Sequence, residues 1–124
     1  MKRDMELVSK ILFEIENADL QSGWISDFHI EGYSEAEVTY HIMIMAKEGL
    51  IEAQNLSSMD GIDWKPVSLT WQGHEFLDSI RNDDVWSGLK DKFGSQLSTL
   101  PLQAISAVAI EMAKKWALGK LGLD

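Results

Sequence analysis

The sequence predicts a mainly α-helical protein with one small β-hairpin, which places it in the α+β class. Apolar residues recur at helical spacing over most of the chain. The glycine at position 49 can end a helix, and an extended apolar segment follows it directly. Asp60-Gly61 is a dipeptide typical of hairpin turns. With 124 residues, 45% of them hydrophobic, the chain is long enough to bury one ordinary core.

The chain opens with a predicted helix over residues 4–17. Asp4 is a preferred N-cap residue, and the apolar positions that follow it keep helical spacing. The polar stretch 17–23 ends this helix. The next segment, residues 25–30, mixes branched, aromatic and polar side chains, so we expect a short strand there.

A second helix is predicted from Ser34 to Glu48. Ser34 and Glu37 have the spacing of a capping box, and acidic residues in the first turn suit the helix dipole. One buried stripe is expected along this helix, at Val38, Ile42 and Met45. Gly49 then ends the helix, and residues 50–55 should form a strand.

The hairpin should close through residues 56–66 and return along residues 67–69. Helix, short strand, helix, strand, turn, strand is the order of a winged helix. In that fold a small hairpin, the wing, leans against a helical core. We therefore predict a winged-helix-like domain over residues 1–81, with its wing near Asp60–Lys65.

Residues 82–124 are predicted to form a helical extension, packed on that domain or on a partner subunit. A helix capped by Thr70 leads into it, with an inner face of Trp71, Phe76, Leu77 and Ile80. The triplet at 82–84 should cap a further helix, whose inward residues are Val85, Trp86, Leu89 and Phe93. Residues 94–99 read as a polar linker, and Pro101 suits the first turn of a final helix.

The final helix carries a narrow apolar seam that steps by three and four residues. The seam consists of Leu102, Ile105, Ala109, Met112 and Trp116. It suits a homodimer contact or docking onto the domain, and the sequence leaves both open. Whether this helix docks in cis or in trans is left open as well.

Three separated blocks resemble a family of short bacterial and phage proteins, the domain of unknown function 2513 family. They are MKRDMELVSKILFEIE, GYSEAEVTYHIMIMAKEGLIEA and LTWQGHEFLDSIRNDDVW, and together they span roughly residues 1–93. More loosely, H-x-x-x-x-A-x-x-G-L-I followed by L-T-x-x-G-x-x-x-L is similar to winged-helix transcription regulators. The resemblance implies a fold, and it brings no catalytic residues.

Charge argues against DNA as the partner. Of the net charge of −9, residues 1–62 hold −8, from four basic and twelve acidic residues. Nucleic-acid binders concentrate positive charge on the binding half. The candidate interaction surface, on the outer face of the Ser34–Glu48 helix and on the wing, holds two lysines among apolar residues: Tyr40, Met43, Ile44, Lys47 and Lys65.

The apolar outer face of that helix has two explanations. The final helix folds back and covers Tyr40, Met43 and Ile44, or these side chains form a partner interface. We therefore expect a protein–protein interaction module with an unknown protein partner. The alternative is a DNA-binding regulator that uses the helix Ser34–Glu48 and the wing.

Neither an enzyme nor a metal or cofactor site is predicted. Phosphate-binding and dinucleotide motifs are absent. His74 and Asp78 stand one helical turn apart without a third ligand, and His41 reads as a packed or hydrogen-bonded histidine. There is no cysteine and no membrane-spanning apolar run, and the tail lysines make only a thin basic patch. We expect a soluble, cytoplasmic protein without a membrane partner.

Overall fold

A computed structural model describes residues 1–19 and 23–122. The predicted class, mainly α with a small β-hairpin, is confirmed. In chain order the elements are α1 (Met5–Asn17), α2 (Glu35–Lys47), β1 (Ile51–Asn55), β2 (Trp64–Leu69), α3 (Trp71–Ile80), α4 (Asp83–Phe93), a 3-10 helix (Gly94–Ser98) and α5 (Leu102–Leu121).

The chain divides into two compact units, Met1–His74 and Glu75–Asp124. The first unit holds α1, α2 and the hairpin, which pack on one another. The second unit holds most of α3 together with α4, the 3-10 helix and α5. The predicted domain limits, residues 1–81 and 82–124, stay a prediction.

The two helices of the first unit start at caps that the sequence predicted. The carboxylate of Asp4 accepts hydrogen bonds from the N–H groups of Glu6 and Leu7. Ser34 and Glu37 form the full capping box, with both bonds at 3.1 Å. The apolar faces that follow are buried against each other, and they include Leu7, Val8, Ile11, Leu12, Ile15, Val38, Ile42 and Met45.

The hairpin follows α2 after one sharp turn. Gly49 takes a φ of 82°, the left-handed conformation expected of a glycine that ends a helix. β1 and β2 pair antiparallel, with an irregularity between Glu52 and Ala53 where the register reaches Pro66. A bulge suits this place, because proline has no N–H to give to the ladder.

The turn of the hairpin lies one residue earlier than Asp60-Gly61 suggests. Ser58 and Gly61 exchange backbone hydrogen bonds of 3.0 and 3.1 Å, so that Met59 and Asp60 occupy the turn itself. Gly61 follows with a φ of 136°, which favours glycine. The hairpin tip, residues 58–62, is therefore a tight turn.

The predicted strand over residues 25–30 is wrong. These residues are irregular, with a bend at Ser26 and Asp27. A single ladder-like bond remains, in which the N–H of Ile25 donates to the carbonyl of Pro66 at 2.8 Å. Two polar residues in the bend, Ser26 and Asp27, interrupt the alternation of polar and apolar residues that a strand needs. The segment therefore forms one backbone hydrogen bond with β2 and no ladder.

The start of α3 is fixed by a close backbone approach. Thr70 caps the helix, because its hydroxyl accepts from the N–H of Gly73 at 3.0 Å and donates to the carbonyl of Gly49 at 2.6 Å. A Cβ atom at Gly73 would collide with the carbonyl of Leu50. Trp71 was predicted to point inward, and this prediction is wrong, because its side chain is 79% exposed. In the first turn of α3, the residue that lies against the hairpin is Gly73.

The second unit follows the predicted helices with one correction. Asn82 caps α4 by accepting from the N–H groups of Asp84 and Val85. Residues 94–99, predicted as a linker, form mostly a 3-10 helix that buries Leu97. α5 then packs on α4.

Candidate functional site

The first unit carries a groove of about 630 Å³. Four parts of this unit form it: Met1, the loop before α2, α2 itself, and the hairpin tip with the start of β2. The lining residues are Met1, Phe28, His29, Tyr33, Glu35, Ala36, Val38, Thr39, Tyr40, Ile42, Met43, Ile62, Asp63, Trp64 and Lys65. A groove of this size is within the range of ligand and peptide sites.

The wall supplied by α2 follows from helix geometry. Ala36, Thr39, Tyr40 and Met43 are spaced by three and four residues, so they share one face of the helix. Gly49 reverses the chain after α2, and both strands of the hairpin contact this helix. The same turn that builds the hairpin therefore places the start of β2 opposite the outer face of α2.

Four large aromatic rings contribute to the lining. Phe28 and Tyr33 come from the loop, Tyr40 from α2 and Trp64 from β2. Lys10, on α1, lies over the Tyr33 ring at 5.5 Å from its centre, a cation–π geometry. Large rings with two torsion angles give contact area at low entropic cost, which is why Tyr and Trp are enriched in binding surfaces.

The loop end of the groove has a negative environment. The hydroxyl of Tyr33 donates to the carboxylate of Asp4 at 3.4 Å. Burial raises the pKa of Tyr33, and the carboxylates of Asp4, Glu6 and Glu37 raise this pKa further. Both effects disfavour an anionic phenolate, and the three carboxylates alone would attract a cation.

The charges that line the groove itself are few. Lys65 forms an ion pair with Asp63 at 3.6 Å. In the described part of the chain, Glu35 takes no part in an ion pair. Four more carboxylates stand one to three residues along the chain from a lining residue: Asp27, Glu31, Glu37 and Asp60.

The hairpin tip adds an apolar surface next to the groove. Met59 is 105% exposed and Ile62 is 71% exposed. Turns usually carry small polar residues or glycine, and exposed large apolar residues that stand together mark interaction sites. Ile62 also lines the groove, so the two surfaces are continuous.

The candidate interaction surface predicted from sequence maps partly onto this groove. Tyr40, Met43 and Lys65 line it. Ile44 is half-buried and Lys47 is exposed, and neither is among its lining residues. Whether the final helix covers Tyr40, Met43 and Ile44 stays a prediction.

Sequence reasoning found Tyr40 and Met43 but missed Phe28, Trp64, Met59 and Ile62. Phe28 lies in the segment predicted as a strand, and Trp64 lies in the predicted hairpin turn, whereas the structure begins β2 at Trp64. Met59 and Ile62 flank the Asp60-Gly61 dipeptide, and two large apolar residues at a turn were a usable signal for an exposed interaction surface.

The predicted seam of α5 divides into two parts. Leu102, Ile105 and Ala109 are buried, and Met112 is half-buried. Trp116 is 43% exposed, and the ammonium group of Lys120 lies over its ring, 5.5 Å from the centre. The role of the seam in a homodimer or in docking stays a prediction.

One histidine, His41, has a structural role. His41 is buried and bonded at both ring nitrogens, which confirms the prediction of a hydrogen-bonded histidine. Among residues 1–19 and 23–122, no three His, Cys, Asp or Glu side chains are grouped so that they could hold a metal ion. No helix in the same residues is long and apolar enough to cross a membrane.

Comparison with known proteins gives a family and a relative. The sequence profile of the family described as "Hypothetical protein (DUF2513)" matches residues 2–98. A protein of Haemophilus influenzae (strain ATCC 51907 / DSM 11121 / KW20 / Rd), named "Uncharacterized protein", is 39% identical over 109 residues, which cover 88% of this chain and 92% of the relative. No solved structure matches the chain, and the likeness to winged-helix proteins stays a prediction.

Proposed function

The chain belongs to the DUF2513 family, and from this premise we propose that it is a non-catalytic protein–protein interaction module. It binds a partner protein through the aromatic groove and the adjoining hairpin tip. The observation that carries the proposal is the exposure of Met59 and Ile62 beside a groove lined by Phe28, Tyr40 and Trp64.

The composition of this surface supports a protein partner. Aromatic residues and methionine are enriched at the centres of protein interfaces, where they act as anchors. The groove offers pockets for side chains of a partner, and the hairpin tip offers two side chains that could enter pockets of the partner. Backbone hydrogen bonds hold the hairpin tip in place, and the capping box holds the start of α2.

DNA binding is the alternative, and the charges oppose it. A helix that reads the major groove needs Arg, Lys, Asn or Gln towards the bases and phosphates. The first turn of α2 carries Glu35 and Glu37, and its last turn carries Lys47 as its basic residue. At the hairpin, Lys65 is paired with Asp63, which lowers its attraction for phosphate.

Site-specific photo-crosslinking tests the proposal. A photo-reactive phenylalanine analogue is placed at Met59 in one variant, and at Glu52 in a control variant. Glu52 is also exposed and lies in the same hairpin, away from the groove. Each variant is irradiated in the producing cells, and the products are separated by mass.

We expect a discrete crosslinked protein from position 59 and none from position 52. Adding Tyr40→Asp to the first variant should remove that product, because the charge enters the groove. Equal crosslinking from both positions, or crosslinking from position 59 to nucleic acid alone, would contradict a protein-binding role for this surface.

A further inference from the structure

We propose that the groove recognises an arginine side chain, carried next to an apolar residue on a segment of the partner protein. This inference rests on the proposed function and deepens it, because it names the chemistry of the partner. Three observations on the first unit support it: the rings of the groove, its carboxylates, and the pairing of its one lysine.

The rings form a surface that suits a flat cation. Phe28, Tyr33, Tyr40 and Trp64 line one groove, and Tyr33 already binds an ammonium group, that of Lys10, over one face. Cations bind over aromatic faces because the ring quadrupole is negative there. A guanidinium can stack its flat face on a ring and at the same time donate two parallel N–H bonds to one carboxylate, a geometry that the compact ammonium group of lysine does not have.

The carboxylates give the groove the sign that a cation needs. Glu35 lines the groove and is in no ion pair within the described residues, so its carboxylate can accept from a guanidinium. Residues 1–74 hold five Lys and Arg against thirteen Asp and Glu, so the field of this unit attracts cations. Lys65, the one lysine of the lining, is paired with Asp63.

The apolar part of the lining determines what accompanies the arginine. Ala36 and Met43 contribute aliphatic surface to the groove, and Ile62 extends it towards the hairpin tip. A segment made only of charged residues would leave this surface in contact with water. An apolar residue beside the arginine would bury it.

The test uses a fluorescein-labelled short peptide of alternating leucine and arginine, with the full chain, at about 150 mM salt, where long-range attraction is screened. Two matched peptides replace arginine by citrulline, which has nearly the same shape without the charge, or by glutamate. Binding is followed by fluorescence anisotropy. The protein variants are Glu35→Gln, Lys65→Gln, Tyr40→Ala and the control Glu52→Gln, which removes an exposed carboxylate outside the groove.

We expect the arginine peptide to bind and the citrulline and glutamate peptides to bind at least about tenfold more weakly. Glu35→Gln should weaken binding by about two- to fivefold, and Lys65→Gln should strengthen it by a similar factor. Tyr40→Ala should weaken it by about tenfold. The control Glu52→Gln should leave the dissociation constant within about a factor of two.

Glu35 and Lys65 carry opposite charges, so neutralising them should change the affinity for the arginine peptide in opposite directions. If Glu35→Gln strengthens binding and Lys65→Gln weakens it, the site prefers an anion. If the arginine and citrulline peptides bind alike, or neither binds, the cation inference is overturned. A crosslinked protein from position 59 would still support the proposed interaction role in that case, so the two failures are distinguishable.

Discussion

His41, on α2, bonds to the start of α1 through Nε2 and to a carbonyl of its own helix through Nδ1. The N–H of Asp4 donates to Nε2 at 2.8 Å, so Nε2 must be the unprotonated nitrogen. Nδ1 therefore carries the proton, and it donates to the carbonyl of Glu37 at 2.8 Å. With 1% of its surface exposed, the side chain has no water to replace these partners.

Replacing His41 by leucine should destabilise the fold by about 1–3 kcal/mol, because the N–H of Asp4 loses its acceptor in a partly buried place. Urea unfolding measures the difference. His74→Leu is the matched control, since His74 is exposed on α3 and its loss should change stability by less than about 0.5 kcal/mol. Equal effects of the two substitutions would contradict the role given to His41.

Gly73→Ala should destabilise the protein by about 1–3 kcal/mol or more, although alanine is the better helix former. The added methyl group meets the backbone carbonyl of Leu50, which cannot move without shifting the hairpin. Gly88→Ala is the control, because its methyl group would meet the Cε of Met112, the flexible end of a side chain, at 2.5 Å. Thermal melting of both variants checks this, and a stable Gly73→Ala variant would show that α3 does not need the close approach.

The residues that the sequence predicted well are those whose roles are local. Asp4, Ser34 and Gly49 act within a few residues of themselves, so their types and spacings were enough. The role of Gly73 depends on the distance between α3 and the carbonyl of Leu50, which no local pattern contains. His41 was predicted as hydrogen-bonded, but its partner Asp4, 37 residues away, was not.

At the scale of elements, the side chains of the hairpin tip should contribute to partner binding but little to the stability of the fold. Met59 and Ile62 are exposed, so replacing both by serine should change the melting temperature by no more than about 2 °C. The same double variant should lose the crosslinked partner, with the photo-reactive residue moved to Asp60, an exposed position between the two. A drop in the melting temperature would show that the tip packs within the protein, and a retained partner would show that the tip does not bind it.

The helices were easier to predict than the segments between them. α1 and α2 have caps and one buried face each, and these signals do not depend on the rest of the chain. The irregular segment before α2 had enough branched and aromatic residues to resemble a strand, yet it bonds to β2 at Ile25 only. Strand formation depends on a partner edge, so composition alone predicted it wrongly.

At the scale of the whole molecule, the excess of negative charge and the groove are found in the same part of the chain. Residues 1–74 contain all of the groove lining, and they hold five Lys and Arg against thirteen Asp and Glu, so the groove is formed by the acidic part of the chain. The charge asymmetry could be predicted from the sequence. The groove could not, because it brings together α2, a loop and the start of β2, and their positions follow from the tertiary fold.

The most direct test of the central claim, that this surface binds protein and not DNA, is a titration with a labelled mixed-sequence duplex. Anisotropy is measured at about 50 mM and about 200 mM salt, between which phosphate-driven binding weakens steeply. We predict no binding at either concentration up to tens of micromolar protein. Micromolar binding at low salt that is lost at high salt, and lost in a Lys47→Glu variant, would contradict the claim and would support a DNA-binding role for α2.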